Sequence, residues 1–272
     1  MVMAWQANKA KFWFASLPAP SPLGNKYDRG HAVIIGADEL TGATRLAATA
    51  CSRIGAGLVT VMAQEAASIY RMSLPPEIMV RQNGFENLKK PSVILAGCGG
   101  INPQVLQTLQ ETFTNCVWVL DADAIISAFR QNMKFHNRAV ITPHQGEFDR
   151  AFPEISGSRE ERACQVAQSH EIIVVLKGQR TIIACPDGRM KMNFHASPYL
   201  ASAGTGDVLA GMITGLLAQG MLAFEACCAA VWMHGEAAIR FGPGMVAGDI
   251  PDLIPYILSD LLEWRSGTAT DR

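Results

Sequence analysis

The chain has 272 residues, of which 23 are basic and 24 acidic, for a net charge of -1; 49% are hydrophobic and 17% charged. That length buries a substantial core, the composition excludes a disordered chain, and near-neutral charge without a basic run excludes a nucleic-acid binder. Seven cysteines without a CxxC pair read as reduced, buried thiols; with no membrane-length apolar run and no leader pattern at the start, the expected location is the cytoplasm.

After a proline-rich entry through Pro18, Pro20 and Pro22, short apolar runs alternate with helical patterns. "HAVIIGA" (31–37) predicts a buried strand. "GATRLAATACSRIGAG" (42–57) places Leu46, Ala47, Ala50, Cys51 and Ile54 on one helical face, with Gly55 and Gly57 as stop signals. "LVTVMA" (58–63), "SVILAG" (92–97), "VWVLDADA" (117–124), "AVITPH" (139–144) and "IIVVLKG" (172–178) predict further buried strands. In "TIIACPDGRMKMNF" (181–194), Asp187-Gly188 between two strand runs signals a hairpin. Helices are expected at 207–219, 222–240 and 250–263; in the first, Val208, Leu209, Met212, Ile213, Leu216 and Leu217 share one face. Continuous apolar strands separated by helices indicate one three-layer α/β domain, a mostly parallel sheet with helices on both faces.

Ligands of such sheets bind beyond the carboxyl ends of the strands, and polar and glycine residues cluster at those ends. "GADELTGAT" (36–44) is not a Walker A loop, because five residues separate its glycines and no Lys follows the second; a phosphate loop and a plain strand-to-helix turn both remain open. "GCGG" (97–100) lacks the third glycine of a dinucleotide fingerprint. In "DAD", Asp121 and Asp123 are either metal-binding carboxylates or helix caps. In "TPHQGE" (142–147), His144 suits an amide or phosphate and Glu147 suits Mg²⁺ through water, although a surface His and a first-turn Glu look the same. Lys177 follows the apolar run Ile173 to Leu176, so it either snorkels from the sheet edge or meets phosphate, and the motif in its context favours phosphate. Gly204, Thr205 and Gly206 feed a helix whose free N–H groups attract anions; Asp207 among them is an N-cap or a group with a chemical task.

Together these stretches resemble the ADP-dependent NAD(P)H-hydrate dehydratases, nicotinamide-cofactor repair enzymes of ribokinase-like fold. The resemblance runs from about Lys26 to about Pro255 and is carried by "TGATRLAATACSRIGAGLVTV", "GCGG", "VLDADAI", "TPHQGEF", "VVLKGQRT", "ASAGTGDVLAGMITGLLAQG" and "GMVAGDIPDLIP". It implies a ribokinase-like domain at 26–272 behind an N-terminal extension at 1–25. The nucleotide would lie over Lys177, Gly178, Gln179, Arg180, Thr181 and Gly206, and the hydrated cofactor against Ala43, Gly99, His144 and Asp207. Asp207 would be the catalytic base, accepting the proton of the hydrate's hydroxyl while the backbone cradles the transferring phosphoryl group. The implied reaction dehydrates the S-epimer of NADH or NADPH hydrate as ADP becomes AMP and phosphate, with Mg²⁺ near Glu147. A homo-oligomer, such as a tetramer, is expected, with any epimerase supplied by another chain because few residues precede Lys26. "ADEL" (37–40) and "GCGGIN" (97–102) depart from the family's glycine- and serine-rich turn and its Gly-Pro-Gly-Leu-Gly pattern, both on the hydrate side. A vitamin-precursor kinase of ribokinase type is the alternative; a non-catalytic nucleotide-binding regulator would have lost Asp207 or Lys177, and both are present.

Overall fold

A computed structural model describes residues 5–266 apart from 83, 85–87, 89–90 and 137; the outer ends of the predicted extension and domain, 1–4 and 267–272, lie outside the described residues. The strands are β1 (Gln6–Ala7), β2 (His31–Ile35), β3 (Leu58–Ala63), β4 (Met79–Gln82), β5 (Val93–Ala96), β6 (Val117–Leu120), β7 (Ala139–Ile141), β8 (Ile173–Leu176), β9 (Thr181–Ala184) and β10 (Met190–Asn193). They form one sheet in the order β1-β10-β9-β8-β7-β6-β5-β2-β3-β4. From β4 to β8 every neighbouring pair is parallel, whereas β9 runs antiparallel to both β8 and β10. The mostly parallel sheet with helices on both faces is therefore present.

Helices α1 (Thr41–Arg53), α2 (Ala67–Ser73), α3 (Pro103–Thr112), α4 (Asp123–Arg130), α5 (Gln145–Ala151), α6 (Arg159–His170), α7 (Thr205–Ala218), α8 (Ala223–Phe241) and α9 (Ile250–Ser266) cover the sheet. Because side chains alternate along a strand, each parallel strand feeds two cores. Ala32, Ile34, Val93 and Leu95 pack under α1, α7, α8 and α9, while Val33, Ile35, Ile94 and Ala96 pack under α3, α4 and α6. Among the described residues no helix is long and apolar enough to cross a membrane.

Two differences from the expected elements matter for the site. α7 is buried on nearly every side rather than along one stripe: Ala210, Gly211, Thr214 and Gly215 are as buried as the six predicted residues. Its small residues let it lie directly on α1, since a Cβ on Gly211 would stand 2.1 Å from the Ala47 carbonyl oxygen and one on Gly215 2.3 Å from the Ile54 Cγ2. That contact fixes where the α7 N-terminus emerges. The residues before Lys26 also belong to the packed structure. β1 pairs in parallel with β10, and Trp13 and Leu17 enter the core. The Asn8 amide donates to Asn193 Oδ1 at 3.0 Å and to the Cys228 carbonyl at 2.8 Å, while Trp13 Nε1 donates to Asn8 Oδ1 at 3.1 Å.

β2 is followed by β3 and β4 on one side and then by β5 to β8 on the other. The chain thus reverses direction across the sheet between β2 and β5, where open α/β sheets form a crevice at their carboxyl ends.

Candidate functional site

The loops leaving β2, β5, β6, β7 and β8, the turn before α7 and the wall beyond β10 meet at that carboxyl rim. Gly204 caps α7 at φ +90, a conformation that calls for glycine, and a Cβ there would also press on the Leu46 side chain, 2.5 Å from its Cδ1. Thr205 Oγ1 donates to the Leu200 carbonyl at 2.8 Å, and the His234 Nε2 lies 2.9 Å from the Thr205 carbonyl. Nε2 therefore carries the proton, and burial pushes His234 down to about 4, keeping it neutral. This hold leaves the first N–H groups of α7 free of any side-chain cap, a geometry that favours an anion.

Asp207 is thus not the N-cap; it lies inside the first turn of α7. Its carboxylate lies within 4.8 Å of a carboxylate oxygen of Asp121 and of the Cys98 Sγ. Burial, reinforced by the charge of Asp121, pushes Asp207 up to about 6. The Lys177 Nζ contacts Asp121 Oδ1 at 2.9 Å and stands 3.9 Å from Glu147 Oε2. Burial opposes its charge, but the two carboxylates outweigh it and Lys177 is raised above its ordinary value. Lys177 is therefore an ion-paired cation at the rim rather than a side chain snorkelling into solvent. Thr142 Oγ1 donates to Asp121 Oδ1 at 2.7 Å. Ala122, at φ +44, turns the chain sharply between two aspartates that diverge. Asp121 joins Lys177, while Asp123 opens α4 and faces another cleft, so the two do not form one metal-binding pair.

Two clefts open at this rim. The larger, of about 780 Å³, is bounded by Lys177 to Thr181 on one side and by Thr205 and Gly206 on the other, with Asn193, Phe194 and His234 completing its wall. All six residues expected around the nucleotide therefore border one cavity. The smaller, of about 360 Å³, lies at the crevice between β2 and β5 and is bounded by Asp38, Glu39, Leu40, Gly99, Asn102 and Asp123 among others. Of the residues expected around the hydrate, Gly99 borders it. Ala43, half-buried in the first turn of α1, His144 and Asp207 border neither cleft; Asp207 follows Gly206 of the larger one in sequence and lies within 4.8 Å of Cys98, the chain neighbour of Gly99 in the smaller.

His144 and Glu147 have local duties. The His144 Nδ1 accepts from Gly146 N at 3.0 Å and Glu147 N at 3.3 Å, while Glu147 Oε2 accepts from His144 N at 2.7 Å, a reciprocal cap on α5. With Nδ1 accepting, Nε2 carries the proton and lies 3.3 Å from Glu147 Oε1. Glu147 keeps lone pairs for a metal-bound water. The three clustered groups Cys98, Asp121 and Asp207 suit Mg²⁺ poorly as direct ligands, because a hard cation prefers oxygen donors and the thiol is held far above its usual range by burial. Phosphates with a water-mediated carboxylate are the better fit.

Several contributors carry no local sequence signal. Arg159, at the start of α6, donates to the carbonyl oxygens of Lys177 at 3.2 Å and Arg180 at 3.4 Å and pins the loop that borders the larger cleft. Asn193 and His234 reach the same cavity from β10 and α8.

A family model described as NAD(P)H-hydrate dehydratase matches residues 31–257. The bifunctional NAD(P)H-hydrate repair enzyme Nnr of Moorella thermoacetica is 34% identical over 92% of this chain and 53% of its own length. The ADP-dependent (S)-NAD(P)H-hydrate dehydratase of Neisseria meningitidis is also 34% identical, over 80% of this chain and 79% of its own. The ADP/ATP-dependent NAD(P)H-hydrate dehydratase of Bacillus subtilis, co-crystallised with ATP/Mg²⁺, superposes with a TM-score of 0.85 at 27% identity, covering 96% of this chain and 100% of that one. The chain spans about half the length of the bifunctional relatives it matches.

Proposed function

The chain belongs to the NAD(P)H-hydrate dehydratase family, and we propose that it dehydrates the S-epimer of NADH or NADPH hydrate back to NADH or NADPH while converting ADP to AMP and phosphate. The observation that carries this reading is Asp207, a half-buried carboxylate pushed up to about 6 at the start of α7, next in sequence to Gly206 of a nucleotide-sized cleft and within 4.8 Å of Cys98, the chain neighbour of Gly99 in a second cleft at the β2/β5 crevice. A base with that affinity for protons is ionised at neutral pH and still able to take one.

In this reading ADP lies in the larger cleft over Lys177 to Thr181, with its β-phosphoryl group against the free N–H groups of Thr205 and Gly206. Asp207 takes the proton of the hydrate's hydroxyl, whose oxygen attacks the β-phosphorus; the bond between that phosphorus and the bridging oxygen breaks, and AMP leaves with the bond's electrons. Hydroxide, a poor leaving group, has then become phosphate. The ring nitrogen's lone pair expels it to give an iminium ion, and loss of a proton from the adjacent ring carbon to the departing phosphate restores the ring double bond. Lys177, held by Asp121 and Glu147, places a positive charge beside Gly206. Ala43, Gly99 and His144 would contact the hydrate. Mg²⁺, when bound, neutralises charge on the ADP phosphates, and Glu147 is the carboxylate that would hold one of its waters.

The match to the dehydratase family supports this reaction over the vitamin-precursor kinase. A cytoplasmic homo-oligomer, such as a tetramer, fed by an epimerase on another chain completes the reading. Free, buried cysteines are in keeping with a reducing compartment. The test mixes the purified protein with NADH hydrate, Mg²⁺ and ADP and follows the absorbance of reduced nicotinamide. A rise that requires ADP is expected; no rise with either ADP or ATP overturns the proposal.

A further inference from the structure

The register of the last three strands brings two planar side chains together at the wall of the larger cleft. Leu176, Ile182 and Met192 lie abreast on β8, β9 and β10, and Asn193 pairs with Thr181. The next positions outward, Phe194 and Arg180, therefore face each other. The Arg180 Cζ stands 5.3 Å from the centre of the Phe194 ring, and both residues border the cleft. The backbone of Phe194 is fixed from either side. Asn193 Nδ2 donates to the His195 carbonyl at 2.8 Å, a bond that spans residue 194, and Asn193 Oδ1 is held by the Asn8 amide. The Trp5 ring leans on that of Phe194, with centres 5.5 Å apart and planes at 46°.

Phe194 is nevertheless 46% exposed. Among the described residues that border the cleft, it carries the only aromatic ring besides the His234 imidazole, which is buried and spent on the Thr205 carbonyl. Arg180 is exposed, and among the described residues its guanidinium has no carboxylate partner; the ring is what it lies over. The phosphate end of the cleft is marked separately, by Lys177 beside Gly206 and the free N–H groups of α7. Lys177 leaves β8 and Phe194 follows β10, two interstrand spacings or about 10 Å across the sheet. A ribose and an α-phosphate span such a distance.

We infer that Phe194 and Arg180 are the base-binding pair of this cleft: the adenine of ADP stacks on the Phe194 ring, and the Arg180 guanidinium closes over its other face. The inference rests on ADP occupying the larger cleft. Stacked planes lie about 3.5 Å apart, so the sandwich needs about 7 Å between guanidinium and ring. Arg180 starts at 5.3 Å and has no ion pair to break as it moves out. Stacking grows with the area of the π face, so the pair favours a purine over a pyrimidine diphosphate. A Phe194 that merely covered the sheet's edge would matter to stability and be blind to the base.

The experiment measures, by calorimetry on the full chain with Mg²⁺, the binding of ADP, UDP and inorganic pyrophosphate, which has no base. Wild type, Phe194→Ala, Phe194→Trp and Arg180→Met are compared. Wild type is expected to bind ADP more tightly than UDP. Phe194→Ala should weaken ADP by about 5- to 100-fold, the scale of losing one base–aromatic stack, weaken UDP less, and leave pyrophosphate unchanged. Phe194→Trp, which keeps a π face, should retain both ADP binding and its margin over UDP. Arg180→Met, which keeps the stem and loses the planar cation, should shrink that margin. A margin that survives Phe194→Ala or Arg180→Met, equal weakening of ADP and pyrophosphate in Phe194→Ala, or Phe194→Trp behaving like Phe194→Ala overturns the inference. A wild type that binds neither ADP nor pyrophosphate overturns the nucleotide reading of the cleft as well, whereas ADP binding indifferent to Phe194 overturns the base-binding pair alone.

Discussion

Replacing Asp207 with Asn separates what the carboxylate does for chemistry from what it costs the fold. In the folded protein its pKa is raised from 3.8 to about 6. The native state thus binds a proton more tightly than the unfolded chain, so any stability from this group is fully present below the unfolded value and is lost as pH rises through 6. At about 1.4 kcal/mol per unit the ceiling on that penalty at pH 7.5 is about 3 kcal/mol, and the part of the side chain open to solvent brings the expectation down to about 1–2 kcal/mol. Asn has nearly the same shape and cannot ionise, so it removes the penalty. Thermal unfolding at pH 7.5 should show the variant melting higher than wild type by about 2–8 °C, with the difference closing as pH falls through 6 and gone below about 4, where both side chains are neutral. Turnover should fall by about 10³-fold, with ADP still binding by calorimetry. A variant that melts lower at pH 7.5, shows a gain independent of pH, or keeps a tenth of wild-type turnover would refute the reasoning.

Lys177→Met strands the buried Asp121 carboxylate without its cation, which should lower stability by about 3 kcal/mol and weaken ADP binding at least about tenfold, read by thermal melting and calorimetry. Gly211→Ala drives a Cβ to within 2.1 Å of the Ala47 carbonyl; it should destabilise by more than about 2 kcal/mol and, by lifting α7 off α1, reduce turnover at a temperature where the variant is still folded. At Gly206 the obstruction is the flexible end of Lys177, 3.1 Å from the added carbon. Gly206→Ala should therefore leave the melting temperature within about 2 °C of wild type while raising the KM for ADP.

The central strands were legible because parallel strands buried on both faces need unbroken apolar runs, and β2, β3, β5, β6, β7 and β8 supply them. The hairpin was legible through Asp187-Gly188, where Gly188 takes φ +89. β4 was not, because "MVRQ" is half polar; its strand character comes from pairing with β3 at the sheet's edge. α7 was placed to within two residues, but a stripe of large residues concealed that its glycines face α1. At the rim, the sequence pointed to Asp207 and Lys177 through their local motifs. It was silent on what sets the ionisation of Asp207, because Asp121, whose charge raises it, and Lys177, whose charge lowers it, arrive from separate strands. His144 and Glu147 sat in a legible cap pattern, Glu three residues after the capping residue, disguised by the use of His in place of Ser or Thr.

The tie between Asn8 and Asn193 bridges 185 positions of chain, and that separation has a consequence for synthesis. A ribosome adding about 5–20 residues per second needs about 10–40 seconds to deliver β10 after the strand that pairs with it has emerged. Throughout that interval Trp13 has no core to enter, and the Asn8 amide has only water. The central strands and the β9–β10 hairpin can assemble as they emerge, but the outer edge of β10 waits for residues made some 185 positions earlier to fold back onto it. The nascent enzyme is thus a sheet with an open flank, and closing that flank is a late step in its folding.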